Sequence, residues 1–241
     1  MFDLHSHILP GIDDGAQTTG IALEMASQAV ADGITHIILT PHIQPGVYDN
    51  DIHTISSAFT AFKTDLTANH IPLAIGMAAE VRISFEIIQM VIEERIPFLG
   101  TLDGYKILLL EFPHSHILPG TEKLIDFLIQ RNIRPLIAHP ERINDVLRDL
   151  DKLRCFIDAG CLMQVTASSI AGFFGEAIRI TSEQMLERDW IHVLATDAHN
   201  TTHRIPEMSP GREAVARLAG EETAWKLVRD NPAAICNSQF R

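Results

Sequence analysis

Met1-Phe2-Asp3-Leu4-His5-Ser6-His7 opens the chain. The run reads as a short strand ending in His-x-His. Successive strand side chains alternate between faces, so residues i and i+2 share one. His5 and His7 therefore point the same way from one strand end. Two neutral imidazoles converging there suit a borderline metal such as zinc, iron or manganese. An isolated His-x-His is more often two histidines in an exposed turn. The metal reading therefore depends on whether other ligand-type residues end later strands.

Moving outward, Ile8-Leu9-Pro10-Gly11-Ile12-Asp13-Asp14-Gly15 carries the residues of a loop. Thr18 or Thr19 can cap a helix to about Asp32, with Ile21, Met25, Ala29 and Ala22, Ala26, Val30 at helical spacing. Gly33 ends it. The β-branched run over 34–40 predicts a buried parallel strand, with His42 just past its end. A helix over 52–69 and a strand over 71–77 lead to Glu80. Ser84 can cap a helix to about Arg95. A strand over 105–110 runs into Glu111, and a helix near 121–131 follows. A strand over 133–138 ends in His139-Pro140-Glu141-Arg142. A helix near 144–154, a strand over 161–166 and a helix around 181–188 come next. A strand over 191–196 leads to Asp197-Ala198-His199, and helices near 210–219 and 221–229 close the chain.

Strand–helix units repeated in this way imply parallel strands with right-handed crossovers. About seven fit the length, favouring a closed or distorted barrel over an open sheet. No linker or low-complexity tract divides residues 1–241, so one α/β domain is expected. Barrel active sites lie at the C-terminal ends of the strands. The polar residues collect there: His5, His7, His42, Glu80, Glu111, His139, Asp197 and His199, with Asp14 in the first loop.

Each alone has a dull explanation, such as a strand-end His bonding a carbonyl. One barrel mouth would bring all of them into one place. That many nitrogen and oxygen donors exceeds what a single ion needs, so two or three divalent ions are expected. The mix of imidazole and carboxylate suits manganese, iron or zinc in a catalytic role. Arg142 and Arg204 fall near the same mouth and read as a phosphate clamp beside the ions. Arg82 can pair with a ligand carboxylate. The opening His5-Ser6-His7-Ile8-Leu9-Pro10-Gly11 recurs as His114-Ser115-His116-Ile117-Leu118-Pro119-Gly120. The flanks do not repeat, so no duplication is inferred, and His114 and His116 are expected on the rim. His36, His53, His70, His192 and His203 are given structural roles.

Bulk composition narrows the classes. The formal net charge of −12 argues against broad nucleic-acid binding, which needs a basic face. Cys155, Cys161 and Cys236 are too few and too odd for a disulfide framework. None begins a Cys-x5-Arg phosphatase loop, since Arg241 is one residue too close to Cys236. An acid at Asp3 and no apolar leader argue against a signal peptide. No uninterrupted apolar run is long enough for a bilayer. A cytoplasmic protein is expected.

These motifs resemble the polymerase-and-histidinol-phosphatase (PHP) family of metal hydrolases. More narrowly, they resemble its bacterial protein-tyrosine phosphatases of capsule and exopolysaccharide synthesis. The resemblance is carried in family order by the stretch from Asp3 to Gly15, Thr40-Pro41-His42, Glu80-Val81-Arg82, Leu110-Glu111-Phe112-Pro113, His139-Pro140-Glu141-Arg142 and Thr196-Asp197-Ala198-His199-Asn200. It implies a distorted (β/α)7 barrel of the PHP fold with three metals, often manganese. By family pattern, His5, His7, Glu80 and Asp197 would hold one ion. Glu80, Glu111 and His139 would hold a second, and Asp14, His42 and His199 a third. Phe2, Ser168 and Thr196 depart from the family pattern without touching a ligand. The implied reaction is hydrolysis of a phosphate monoester docked on the metals and on Arg142 and Arg204. The implied partner is the tyrosine-rich tail of a bacterial tyrosine kinase, by analogy. Competing readings are a small-molecule phosphatase such as histidinol phosphatase, a metal-dependent nuclease or amidohydrolase, and a non-enzymatic partner of the polysaccharide machinery.

Overall fold

Strand β1 (Phe2–Asp3) lies parallel to β2 (His36–Leu39), with Phe2 opposite His36 and Asp3 opposite Ile37. The computed structural model describes residues 1–240, so Arg241, the spacing partner of Cys236, lies outside the described residues. Helix α1 (Thr19–Ala31) connects the two strands. Thr18 starts it: its backbone is extended and its side-chain oxygen accepts the Ile21 N–H at 3.3 Å, satisfying a free donor of the first turn. Ala22, Met25, Ala26 and Ala29 form the buried face. Gly33 follows with φ of +88°, the left-handed conformation that ends many helices.

The expected strand over 34–40 is β2, which breaks at Thr40-Pro41. The chain then resumes as β3 (His42–Ile43), so His42 begins a short strand of its own. After α2 (Ile52–Ala68) the same break recurs between β4 (Ala74–Met77) and β5 (Glu80–Arg82). β2 pairs with β4, while β3 pairs with β5. The remaining elements are α3 (Glu86–Ile92), β6 (Gly100–Leu102), β7 (Tyr105–Glu111), α4 (Thr121–Ile129), β8 (Ile133–Ala138), α5 (Asn144–Arg148), α6 (Arg154–Asp158) and β9 (Leu162–Thr166). Then come α7 (Ala167–Ile170), α8 (Glu176–Glu187), β10 (Val193–Ala195), α9 (Ser209–Ala219), α10 (Glu221–Trp225) and α11 (Asn231–Cys236).

Hydrogen bonding divides the strands into a sheet of order β1-β2-β4 and a sheet of order β10-β9-β8-β7-β5-β3, with β6 paired to β7. Every pairing is parallel except the β6–β7 hairpin. The sheets touch where the site forms. The Asp197 N–H donates to the His5 carbonyl at 2.8 Å, and the His7 N–H donates to the Ala198 carbonyl at 2.8 Å. The architecture is a mixed α/β domain with parallel strands, as expected. The barrel reading rests on these backbone contacts between the first and last strand ends.

Both strand faces are buried, which is why the strands read as continuous apolar runs. Leu108, Leu110 and Ile137 pack with helix residues such as Met25, Phe62 and Leu128. Ile107, Leu109, Leu136 and Ala138 pack on the other face with Leu4, Val193, Ile235 and Cys236. The three cysteines are free, as expected. Among the described residues no helix is long and apolar enough to cross a membrane.

Several expected boundaries shift for local reasons. The strand at Tyr105 is the second arm of a hairpin, turned by Asp103 and Gly104, both at positive φ. The helix expected over 144–154 is broken at Asp149, whose extended backbone and side chain cap the following turn through Asp151 N–H. Ser84 caps nothing; α3 begins two residues later. The helix expected around 181–188 starts earlier, at Glu176. The last helix widens to a π turn over Lys226–Asp230 before Pro232, which lacks the donor an α-helix needs there.

Candidate metal centre and active site

His5 and His7 are fully buried, and their Nε2 atoms lie 3.2 Å apart. Glu80 Oε2 sits 3.1 Å from His5 Nε2 and 3.2 Å from His7 Nε2. Asp197 Oδ1 lies 3.3 and 3.5 Å from the same two nitrogens. Four donors from three distant stretches thus face one point. Asp14 Oδ1 lies 3.5 Å from both His42 Nε2 and His199 Nε2, and His7 completes that group. His42 Nδ1 is 3.1 Å from Glu80 Oε2 and 3.8 Å from Glu111 Oε2. His139 Nε2 is 2.8 Å from Glu80 Oε1. Every proposed ligand from His5 to His199 therefore falls in one connected cluster.

The histidines are aimed by partners outside the cluster. His7 Nδ1 bonds Asp13 Oδ2 at 2.7 Å, and His5 Nδ1 bonds Gln164 Oε1 at 2.8 Å. His199 Nδ1 bonds the Asp197 carbonyl at 2.9 Å. A ring that donates through Nδ1 keeps a lone pair on Nε2, the atom facing the cluster. Asp13 also accepts the His42 N–H at 3.1 Å and the Gly15 N–H at 2.9 Å, so one carboxylate organises the loop. Gly15 is required here: an added Cβ would stand 1.9 Å from the His7 carbonyl oxygen. Asp3 ties the first and last strands together, accepting from Thr196 N–H at 3.0 Å and Thr196 Oγ1 at 2.5 Å. His139 and Asp197 both take positive φ, 35° and 52°, a strained backbone that recurs where function fixes geometry.

The electrostatics fit a divalent cation. Burial pushes Glu111 up to about 7, with the adjacent Glu80 carboxylate adding to it and Arg82 opposing. Burial opposes ionisation of Asp197 and Glu80, yet both stay well below the usual carboxylate range. Arg142, His5 and Arg204 hold Asp197 there, and His5 and His42 hold Glu80. Burial, then Arg142, lowers His139 to about 3, leaving it a neutral imidazole. His42 Nδ1, His139 Nδ1, Glu111 Oε2 and Asp197 Oδ1 are buried without a hydrogen-bond partner. Such atoms are costly unless something satisfies them. Divalent ions suit this donor set of imidazoles and carboxylates.

Asp197 divides its oxygens. Oδ1 faces the histidines, while Oδ2 accepts from Arg142 Nη2 and, at 2.6 Å, from Arg204 Nη2. Asn200 positions Arg204, its side-chain oxygen accepting the N–H groups of Thr202, His203 and Arg204. The Nε atoms of both arginines have no partner. Both guanidinium groups line the mouth. Arg82 is spent on Glu111 Oε1 at 2.5 Å. The mouth is an open cavity of about 290 Å³. That is at the small end of ligand sites, sized for a head group.

A sequence profile described as capsular polysaccharide synthesis, CpsB/CapC, matches residues 1–237. The chain belongs to the CpsB/CapC family. It is 36% identical over 230 residues to the tyrosine-protein phosphatase YwqE of Bacillus subtilis, covering 95% of this chain and 89% of that protein. It is 27% identical over 245 residues to the tyrosine-protein phosphatase CpsB of Streptococcus pneumoniae, covering both in full. Among solved structures, it superposes with a TM-score of 0.92 and 33% identity on one from work describing YwqE and CpsB as metal-dependent tyrosine phosphatases. That match covers 99% of this chain and 95% of the other.

In this CpsB/CapC chain, sequence reasoning missed three neighbours of the cluster. Asp13 lay in view within the Asp-Asp-Gly loop. Gln164 carried a signal too: it is a buried polar residue in an apolar strand, two before the strand end. Tyr48 gave none; its ring stacks on His42 at 5.6 Å and 11°. The second His-Ser-His lies exposed on the rim, as expected, and splits in reach: His114 comes within reach of Glu111 and His139, while His116 bonds only Ser115. Glu141 of the His-Pro-Glu-Arg motif accepts the Thr166 N–H at 3.0 Å and supports β9 from outside the cluster. His192 accepts the Met163 N–H at Nδ1, and His36 stacks on Phe2; both roles are structural, as expected.

Proposed function

We propose that this chain is a metal-dependent protein-tyrosine phosphatase of capsular or exopolysaccharide synthesis, with residues 1–241 forming one metallophosphatase domain. The carrying observation is the joint placement of His5, His7, Asp14, His42, Glu80, Glu111, His139, Asp197 and His199 in a cluster bordered by Arg142 and Arg204. The names borne by YwqE and CpsB support the phosphotyrosine assignment. The ligands are read as holding two or three divalent ions, with manganese the first choice and iron or zinc the alternatives. The substrate is read as a phosphotyrosine protein, specifically the tail of a bacterial tyrosine kinase, met in the cytoplasm.

When bound, the ions would supply Lewis-acid stabilisation of the phosphoryl oxygens and acidify the attacking water. The protein's own residues do the rest. Arg142 and Arg204 bind the equatorial phosphoryl oxygens through charge-assisted bonds, and Asp197 holds both side chains in place. Asp13 and Gln164 accept the Nδ1 protons of His7 and His5 and so turn the Nε2 atoms into the cluster. A phenolate, with a conjugate-acid pKa of about 10, leaves more readily than an alkoxide, so no strong general acid is assigned.

Chelator treatment should abolish hydrolysis of phosphotyrosine and p-nitrophenyl phosphate, and manganese should restore it. Phosphotyrosine should be turned over faster than histidinol phosphate. Full activity in chelator, or the reverse preference, defeats the assignment.

A further inference from the structure

The cavity beside the cluster is almost wholly charged or imidazole in its lining, with one exception. Among the described residues, Gln44, Val47 and Tyr48 are its only lining side chains that are not His, Asp, Glu or Arg, and all three come from one turn. Val47 is 60% exposed there, an uncovered apolar side chain at an otherwise ionic mouth. Tyr48 lies one imidazole away from the donor cluster, with its ring nearly parallel to that of His42.

The turn is held firmly. Gln44 N–H donates to the Tyr48 carbonyl at 3.0 Å, and Tyr48 N–H returns a bond to the Gln44 carbonyl at 2.8 Å. Val47 N–H shares that Gln44 oxygen at 2.9 Å, and Gly46 N–H donates to Asp49 Oδ1 at 2.7 Å. Gly46 takes φ of +80°, which glycine adopts freely. A surface fixed before the ligand arrives loses little entropy on binding.

We propose that Val47 and Tyr48 form the platform on which the aromatic ring of the substrate packs, making the site selective for aryl over alkyl phosphate esters. This rests on the phosphatase reading and deepens it. A phosphate anchored on the arginines and the cluster leaves its ester substituent at the mouth. There the turn offers an aromatic ring and an exposed apolar side chain that a substrate ring can cover. A phosphorylated serine or threonine has no ring to place on it. Packing of one aromatic ring on another corresponds to about 3- to 10-fold in binding.

The test uses phenylphosphonate and methylphosphonate, which bind without being hydrolysed, so leaving-group chemistry drops out. Calorimetric titration of the metal-loaded full chain compares wild type with Tyr48→Ala, Tyr48→Phe and Val47→Ala. Tyr48→Ala should weaken phenylphosphonate about 3- to 10-fold and leave methylphosphonate unchanged. Val47→Ala should act in the same direction with a smaller loss, and Tyr48→Phe should retain wild-type selectivity. Equal weakening of both ligands by Tyr48→Ala would reduce Tyr48 to a prop for His42 and overturn the proposal. So would no change in either. Wild type that binds neither phosphonate defeats the phosphatase reading itself, and this proposal with it.

Discussion

Replacing Asp13 by Asn is the most informative single change, because it removes one charge and almost no volume. Asp13 accepts three hydrogen bonds, from His7 Nδ1 at 2.7 Å, from the His42 N–H at 3.1 Å and from the Gly15 N–H at 2.9 Å. An asparagine cannot satisfy all three. With its NH2 toward His7, it meets the His42 N–H donor to donor. His7 must then accept at Nδ1, moving its proton to Nε2, the atom that faces Glu80 and Asp197. With the amide turned over, its NH2 meets the Gly15 N–H instead. Either way the loop loses a bond, and in the first case His7 loses its free lone pair. Disturbing a partner that orients a ligating histidine costs about 10- to 100-fold in metal affinity, or ~1.4–2.8 kcal/mol. The assay is competition of manganese against a chromophoric chelator, with circular dichroism confirming the fold. Asp13→Asn with wild-type metal affinity would refute the reasoning that His7 is a ligand aimed by Asp13.

Arg142→Ala and Arg204→Ala should each lower kcat/KM on phosphotyrosine by about 10- to 150-fold, the worth of one charge-assisted bond. Metal content should stay at the wild-type value, and unchanged kinetics would remove the clamp. Gly15→Ala should lower the melting temperature by about 4 °C or more, since its Cβ would stand 1.9 Å from the His7 carbonyl. An unaltered melting temperature would contradict that close approach. Thiol labelling of native protein at pH 8 should modify Cys155 alone. Cys161 and Cys236 are buried and pushed up to about 12, so each is thiolate in only about one molecule in 10,000 at that pH. All three should label after unfolding; rapid native labelling of three would contradict the packing.

Much of the site was legible because its residues sit where strand periodicity puts them. His5 and His7 share a face by the period of two, and Glu80, Glu111, His139 and Asp197 follow apolar runs that can only be buried strands. What could not be read was the choice of strand neighbour. The run 34–40 reads as one strand with His42 just past its end, but Thr40-Pro41 ends one pairing and His42 begins another. That switch depends on which strands lie alongside, information no local pattern carries. The hairpin at Asp103-Gly104 is different: its turn signal was present and the run before it, Gly100–Leu102, was too short and polar to stand out. His114 and His116 were inseparable by sequence, because a loop has no periodicity to say which of two exposed residues comes within reach of Glu111 and His139. Tyr48 was hidden for the same reason.

The central claim is that side chains scattered from His5 to His199 converge on a cluster of ions. Anomalous diffraction at the manganese edge, from crystals of the metal-loaded protein, tests it most directly. The account predicts two or three peaks: one among His5, His7, Glu80 and Asp197, the others beside Asp14, His42 and His199 and beside Glu111 and His139. No peak within reach of these donors, in crystals of a protein that hydrolyses phosphotyrosine, would contradict it.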